Sequence, residues 1–90
     1  MKYNKELEQR KKEIIAKAGC CEKCGRKNNL TIDHIIPLLL LKQFGFSDEQ
    51  TFDEMNFQVL CGICNTFKSN QLDFVDPRTK AILLRYLDRI

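Results

Sequence analysis

Two Cys-x-x-Cys units constrain this chain more than any other feature. They run from Cys21 to Cys24 and from Cys61 to Cys64, with 36 residues between the two units. The chain has only 90 residues, and a chain of that length buries roughly 60–65% of its unfolded surface, so its hydrophobic core is marginal. Small domains commonly reinforce such a core with disulfides or a metal. The cysteines are therefore the first place to look for that reinforcement.

The matched spacing predicts one metal site. Each Cys-x-x-Cys turn can present two thiolates about 3.5–4 Å apart to a tetrahedral Zn²⁺. We therefore expect a structural zinc held by Cys21, Cys24, Cys61 and Cys64, the alternative being buried free thiols. The fifth cysteine, Cys20, does not fit the spacing, and we expect it to be a small buried apolar residue.

The predicted compartment also favours a metal over disulfides. The first residues lead into a charged stretch, which is not the pattern of a signal peptide. The longest apolar run, from Ile35 to Leu41, contains Pro37 and is too short to cross a bilayer. We expect a soluble, cytoplasmic protein with no membrane partner. In a reducing compartment, clustered cysteines are more often metal ligands than disulfides.

Charge is unevenly distributed along the chain. The formal net charge is +3, made up of +5 in residues 1–29, −4 in residues 30–60 and +2 in residues 61–90. Basic ends around an acidic middle fit a protein that meets a polyanion with its flanks and holds a cation at its centre. A solvated helix face accounts for the basic N-terminal third equally well.

Hydrophobic periodicity and turn residues predict a mixed α+β domain. In chain order, we predict a helix over about residues 3–18, strand segments 30–32 and 35–36, a short helix within 38–46, a second short helix capped by Ser47, a strand over 57–60, a helix after Cys61 and a last helix over 77–90. The polar pair Asp33 and His34 interrupts the first strand. The apolar residues between Leu38 and Phe46 are either core or a partner-binding face. We see no linker, so we expect one domain over residues 1–90.

Four polar residues need a local explanation. Asp33 and His34 interrupt an apolar strand, and His34 is the only histidine in the sequence. An aspartate can hold a hard cation, and a histidine can accept a proton from water near neutral pH. Asn56 precedes the second strand, and Asn65 directly follows the last cysteine of the second unit. A zinc that fixes strand, turn and helix would let these side chains converge.

The combined pattern resembles the HNH endonucleases, also called ββα-metal or His-Me finger nucleases. The matching residues are Cys21-x-x-Cys24-Gly25, Ile32-Asp33-His34-Ile35-Ile36-Pro37 and Asn56-Phe57-Gln58-Val59-Leu60-Cys61-x-x-Cys64-Asn65-x-x-Lys68. They lie within residues 21–70, the expected core motif, between flanking helices over about 3–18 and 77–90. The resemblance implies a small ββα-metal finger whose structural zinc lies between the two Cys-x-x-Cys knuckles.

The resemblance also implies a role for each polar residue. His34 would be the general base that activates water, and Asn56 would brace the loop that orients it. Asp33 and Asn65 would hold a catalytic divalent ion, with Asn65 replacing the family's more usual last histidine. Their oxygen atoms favour Mg²⁺ or Mn²⁺. Lys68, together with Asn70, would contact nucleic acid. Because side chains alternate along a strand, a distortion or loop must bring both Asp33 and His34 to one phosphate.

These implications lead to three functional hypotheses. The first is a metal-dependent DNA endonuclease or nickase that hydrolyses phosphodiester bonds. The second is a non-catalytic zinc module that binds nucleic acid or a protein, which accounts only for the cysteines and the basic flanks. The third is a redox protein, which is weak because neither Cys-x-x-Cys opens a thioredoxin-like βαβ unit. The resemblance also suggests a phage origin, with phage packaging proteins as partners. Oligomeric state, target and strand number stay open.

Overall fold

The computed structural model describes residues 5–69 and 71–90 as five helical segments and two strands. In chain order they are α1 (Lys5–Ala18), β1 (Leu30–His34), α2 (Leu38–Gln43), a 3₁₀ turn (Glu54–Asn56), β2 (Phe57–Cys61), α3 (Gly62–Lys68) and α4 (Pro77–Leu87). β1 and β2 form one two-stranded sheet, and α3 follows β2 without a linker. The predicted α+β class is therefore confirmed.

The two strands are antiparallel, and backbone hydrogen bonds fix their register. The Ile35 N–H donates to the Asn56 carbonyl at 2.8 Å, and the Gly62 N–H donates to the Asn29 carbonyl at 3.1 Å. This register sets Asp33 opposite Gln58. Because the bonding pattern alternates in antiparallel pairs, the N–H and C=O of a residue such as Val59 face the outer edge of β2.

Cα packing divides the chain into two compact units. The first holds residues 1–33 and 58–67, and the second holds residues 34–57 and 68–90. In the first unit, the buried apolar cluster is Cys21, Leu60 and Cys61, against which Leu30 and Cys64 pack. In the second unit, the buried cluster is Ile35, Ile36, Leu41, Phe46, Ile82 and Tyr86. The single domain over residues 1–90 stays a prediction.

The first and last helices follow their sequence signals. α1 ends before Gly19, whose φ of +74° suits a residue without a side chain. The predicted start of this helix at residue 3 lies outside the described residues. α4 begins at Pro77, and the Asp76 side chain caps it by accepting a hydrogen bond from the Arg78 N–H at 2.9 Å.

Two local predictions were wrong. β1 runs without a break through Asp33 and His34 and ends there, whereas Ile35 and Ile36 lie beyond it. The polar pair stays in the strand because Asp33 has a polar partner, Gln58, directly opposite. The segment after Ser47 forms a turn rather than a helix, closed by a hydrogen bond from the Thr51 N–H to the Ser47 carbonyl at 3.0 Å.

The apolar segment around α2 contributes to the core of the second unit. Leu41 is fully buried and Phe46 is 8% exposed, whereas Leu39 and Phe44 face solvent. Gly45, with φ of +95°, ends this segment as a turn residue. Among the described residues, no helix is both long enough and apolar enough to cross a membrane.

Candidate functional site

The four paired cysteines meet in the first unit. The Sγ atoms of Cys21, Cys24, Cys61 and Cys64 all lie within 4.8 Å of one another. The Sγ atoms of Cys24 and Cys61 are 3.6 Å apart, and four sulfurs at about 2.3 Å from a tetrahedral zinc would be about 3.8 Å apart. Cys20 lies outside this group and is half-buried, so the prediction of a buried residue there was wrong.

Each knuckle turns its backbone amides toward a sulfur. The Lys23 N–H donates to the Cys21 Sγ at 3.4 Å, and the Cys64 N–H donates to the Cys61 Sγ at 3.5 Å. Gly25, with φ of +80°, closes the first knuckle by donating to the Cys21 carbonyl at 2.9 Å. Donors of this kind stabilise thiolate sulfur, the form that binds metal. The four residues therefore fit a zinc ion, and their sulfur donors favour it over harder ions.

The pKa values of two of these thiols, Cys21 and Cys64, are shifted in opposite directions. Burial raises the pKa of Cys21, but hydrogen bonds from the backbone of Cys24, Cys61 and Lys23 outweigh it and hold the pKa at about 6. Burial, followed by hydrogen bonds with the neighbouring thiols, raises the pKa of Cys64 to about 12. Four thiolates cannot accumulate in this space without a compensating positive charge, which a divalent metal supplies.

Glu22 ties the first knuckle to β2. Its N–H donates to the Val59 carbonyl at 2.9 Å, and its side-chain Oε2 accepts from the Val59 N–H at 2.6 Å. One residue thus satisfies both backbone groups that Val59 turns to the outer edge of the strand. Sequence reasoning missed this contact, because an acidic residue inside a Cys-x-x-Cys turn carries no pattern that distinguishes a strand clamp from a solvated side chain.

Asp33 and Asn65 come to one face of the sheet in this unit. The Gln58 Nε2 donates to the Asp33 Oδ2 at 3.0 Å, and Gln58 is only 2% exposed. Two residues before Asp33, and hence on the same face, the Thr31 Oγ1 accepts from the Asn65 Nδ2 at 3.1 Å. This bond uses the nitrogen of the Asn65 amide and not its oxygen, which is the atom that would bind a metal.

Thr31 and Gln58 bind two of the predicted site residues, and the sequence analysis did not single them out. The Thr31 hydroxyl donates to the Leu60 carbonyl at 3.1 Å and so fixes the acceptor used by Asn65. Only the strand register, which pairs Thr31 with Leu60 and Asp33 with Gln58, could have identified them. That register depends on how β1 and β2 are connected.

His34 lies in the second unit and is held at its ring and at its backbone. The imidazole packs edge-to-face on Phe57, with ring centroids 5.2 Å apart and an interplanar angle of 89°. Phe57 packs in turn on Phe52 at 5.4 Å. The Lys68 Nζ donates to the His34 carbonyl at 2.7 Å. His34 as a whole is half-buried, so it is neither a core residue nor a fully solvated one.

Asn56 supports the segment directly after His34. It is fully buried. Its Oδ1 accepts from the Ile36 N–H at 2.7 Å, and its Nδ2 donates to the Ile36 carbonyl at 3.0 Å. Its own carbonyl accepts from the Ile35 N–H at 2.8 Å. Asn56 thus binds the backbone of Ile35 and Ile36 at three points, although β1 has already ended.

The predicted nucleic-acid contacts are described only in part. Lys68, the last residue of α3, directs its ammonium group to the His34 carbonyl. Its contact with phosphate stays a prediction. Asn70 lies outside the described residues. Of the predicted site residues, Asp33, Asn65 and the four cysteines thus belong to the first unit, and His34, Asn56 and Lys68 belong to the second.

Comparison with known proteins identifies the family. The family model described as HNH endonuclease matches residues 21–71, which is more than half of the chain. Comparisons with curated proteins and with solved structures gave no match. The matched range contains both Cys-x-x-Cys units together with Asp33, His34, Asn56 and Asn65. With this match and a cysteine cluster positioned to hold a metal ion, the chain belongs to the HNH endonuclease family.

Proposed function

We propose that this protein is a metal-dependent endonuclease or nickase that hydrolyses phosphodiester bonds in DNA. The observation that carries the proposal is the pair of oxygen donors, Asp33 and Asn65, on one face of a sheet in a chain of the HNH endonuclease family. The cysteine cluster would contribute structure rather than chemistry, because four sulfur ligands would leave a bound zinc ion no open position for water or substrate.

The catalytic metal would bind to Asp33 and Asn65. Carboxylate and amide oxygens suit Mg²⁺ or Mn²⁺, which prefer hard ligands. The hydrogen bond from Gln58 restrains the Asp33 carboxylate, and the bond to Thr31 turns the Asn65 amide so that its nitrogen is the occupied end. Such an ion, when bound, supplies positive charge to the phosphate oxygens and to the leaving 3′ oxygen.

His34 would act as the general base. It accepts a proton from the water that attacks phosphorus, so the imidazole must be neutral at the working pH. The edge-to-face contact with Phe57 limits rotation of the ring, and the bond from Lys68 fixes the backbone that carries it. The next residues are held by Asn56, which we propose to be a positioning residue for His34.

DNA would be bound mainly through its phosphates. Lys68 is proposed as one phosphate contact, because its side chain is a cation at the end of α3, directly beside the His34 backbone. The same role for Asn70 rests on the resemblance alone. A phage origin, packaging partners and a cytoplasmic location likewise stay predictions.

The decisive experiment is cleavage of supercoiled plasmid with and without Mg²⁺. We expect nicked or linear product only with the metal. His34→Ala should lower the rate by roughly 10²–10⁴-fold, the usual contribution of general-base catalysis, and should leave DNA binding intact. Asp33→Asn keeps the acceptor for Gln58 but removes the charge, so it should abolish cleavage without unfolding the protein.

A matched control separates these roles from structural ones. Asn28→Ala removes an exposed amide and should leave cleavage unchanged, whereas Asn65→Ala should abolish it. Melting temperature is measured on each preparation. If His34→Ala melts early but cuts at the wild-type rate, the general-base role is wrong. If the wild-type protein binds DNA and never cuts it with Mg²⁺ or Mn²⁺, the chain is a non-catalytic zinc module instead.

A further inference from the structure

α4 presents an apolar stripe to solvent on the side opposite its core contacts. Ile82 and Tyr86 are 6% and 1% exposed, whereas Leu84, midway between them, is 50% exposed. Two residues along a helix correspond to a rotation of about 200°, so Leu84 points away from the core. We use the name Leu84 face for the exposed residues within one turn of it on the same side: Lys80, Ala81, Leu84, Leu87 and Asp88.

The charged residues of α4, together with Asp88 directly after it, fall into two groups. Arg78 pairs with Asp76 at 2.8 Å and Arg85 pairs with Asp53 at 3.8 Å, and neither arginine belongs to the Leu84 face. The side chains of Lys80 and Asp88, which do belong to it, are exposed and make no hydrogen bond or ion pair with the side chains of residues 5–69 and 71–90, and the backbone N–H of Asp88 caps the helix by donating to the Leu84 carbonyl. The face therefore combines exposed leucines with one positive and one negative side chain that no described residue neutralises.

These residues are arranged symmetrically about Leu84. Lys80 and Asp88 are each four residues from it, and Ala81 and Leu87 are each three residues from it. When two such helices cross antiparallel at Leu84, Lys80 of each copy lies level with Asp88 of the other, because both are about 6 Å along the axis from the crossing point. Ala81 of each copy likewise lies level with Leu87 of the other copy, so that a small side chain is at the same height as a larger one.

We propose that the Leu84 face binds the same face of a second copy of this chain, in an isologous two-fold dimer. Isologous interfaces require a self-complementary patch, and the positions of Lys80 and Asp88 satisfy that requirement at both ends. The patch belongs to one helix of 11 residues and its C-cap residue, so the interface is smaller than the ~1,600 Å² of a standard stable complex. The dimer is therefore weak, reversible and dependent on concentration.

Charge exchange is the sharpest test. Sedimentation of the zinc-loaded protein up to ~1 mM should show a monomer–dimer equilibrium. Lys80→Asp and Asp88→Lys should each raise the dissociation constant about tenfold, since each converts two attractive contacts into repulsive ones. The double variant Lys80→Asp/Asp88→Lys should restore the wild-type constant. Both changes complement the helix dipole, so neither single variant should unfold the protein.

Leu84→Lys is the second variant, and Tm is its folding control. It should eliminate dimerisation without lowering Tm by more than a few degrees, because Leu84 is exposed and both residues favour helix. A monomer at every concentration would overturn the proposal, as would a dimer that survives Leu84→Lys or a double variant that stays as weak as the singles. These measurements use no DNA, so they are independent of the proposed nuclease activity.

Discussion

Replacing Asn56 with alanine tests how strongly one buried amide holds the segment after β1. The side chain is fully buried and makes two hydrogen bonds with the backbone of Ile36, which is itself fully buried. Asn56→Ala removes both bonds and leaves the N–H and the C=O of Ile36 without these partners. Each buried, unsatisfied backbone group costs about 1–3 kcal/mol, so we expect the free energy of unfolding to fall by about 2–6 kcal/mol.

This loss is large for a domain of this size. Small domains have about 5–15 kcal/mol of stability in total, and each 1 kcal/mol shifts the melting temperature by roughly 4–8 °C. Asn56→Ala should therefore melt at least about 8 °C below the wild type. Asn56→Asp should be destabilised to a similar extent at neutral pH, because a carboxylate cannot donate to the Ile36 carbonyl and is charged at a buried position.

The assay is thermal and urea unfolding of the zinc-loaded variants, followed by circular dichroism. Asn28→Ala is the matched control, since it deletes the same amide from an exposed position and should change stability by no more than about 0.5 kcal/mol. If Asn56→Ala melted within about 3 °C of the wild type, the two bonds to Ile36 would not be stabilising, and the positioning role proposed for Asn56 would lose its physical basis.

Three further perturbations follow from the metal cluster and the contacts beside it. Cys24→Ser should lose zinc and most of the folded structure, whereas Cys20→Ser should keep both, as measured by elemental analysis and circular dichroism; zinc in a folded Cys24→Ser protein would contradict the four-cysteine site. Glu22→Ala should cost about 1–3 kcal/mol in urea unfolding, because it leaves the Val59 N–H without its acceptor, and Glu22→Gln should cost less; equal losses would show that the acceptor is not what matters. Lys68→Ala should reduce the slope of log affinity for DNA against log salt by about 0.9, and an unchanged slope would remove Lys68 from the phosphate contacts.

The cysteine cluster and most of the helices and strands could be predicted from the sequence, because each depends on residues that are close together along the chain. The equal spacing of two Cys-x-x-Cys turns predicted that the four cysteines cluster, and Asp76 followed by Pro77 predicted the start of α4. The structure confirms both predictions. The break expected at Asp33 was wrong because strand propensity takes no account of a partner across the sheet. The roles proposed for His34 and Asn65 come from a family resemblance; residue chemistry alone indicates only that a histidine can accept a proton.

What the sequence could not provide was the contact between distant residues. Glu22 binds Val59, and Asn65 binds Thr31, over separations of 37 and 34 residues. Each of these bonds depends on the strand register and on the position of a knuckle, both of which exist only after the chain has folded. Polar side chains of this kind are also common on surfaces, so their residue types alone do not single them out.

The order in which the chain visits its two compact units limits how the protein can be divided. Residues 1–33 and 58–67 form one unit, and residues 34–57 and 68–90 form the other, so the backbone passes between them three times. A single cut at any position therefore leaves at least one unit incomplete, and neither unit can be expressed as one continuous fragment.

A metal ion bound by the four cysteines also closes a loop in the chain between Cys24 and Cys61, and this loop contains the whole first segment of the second unit. In an unfolded chain, closing a loop of that length costs entropy equivalent to about 4 kcal/mol. The free energy of zinc binding in the first unit would offset this loss of entropy. The closed loop would then leave residues 34–57 of the second unit fewer conformations to sample during folding.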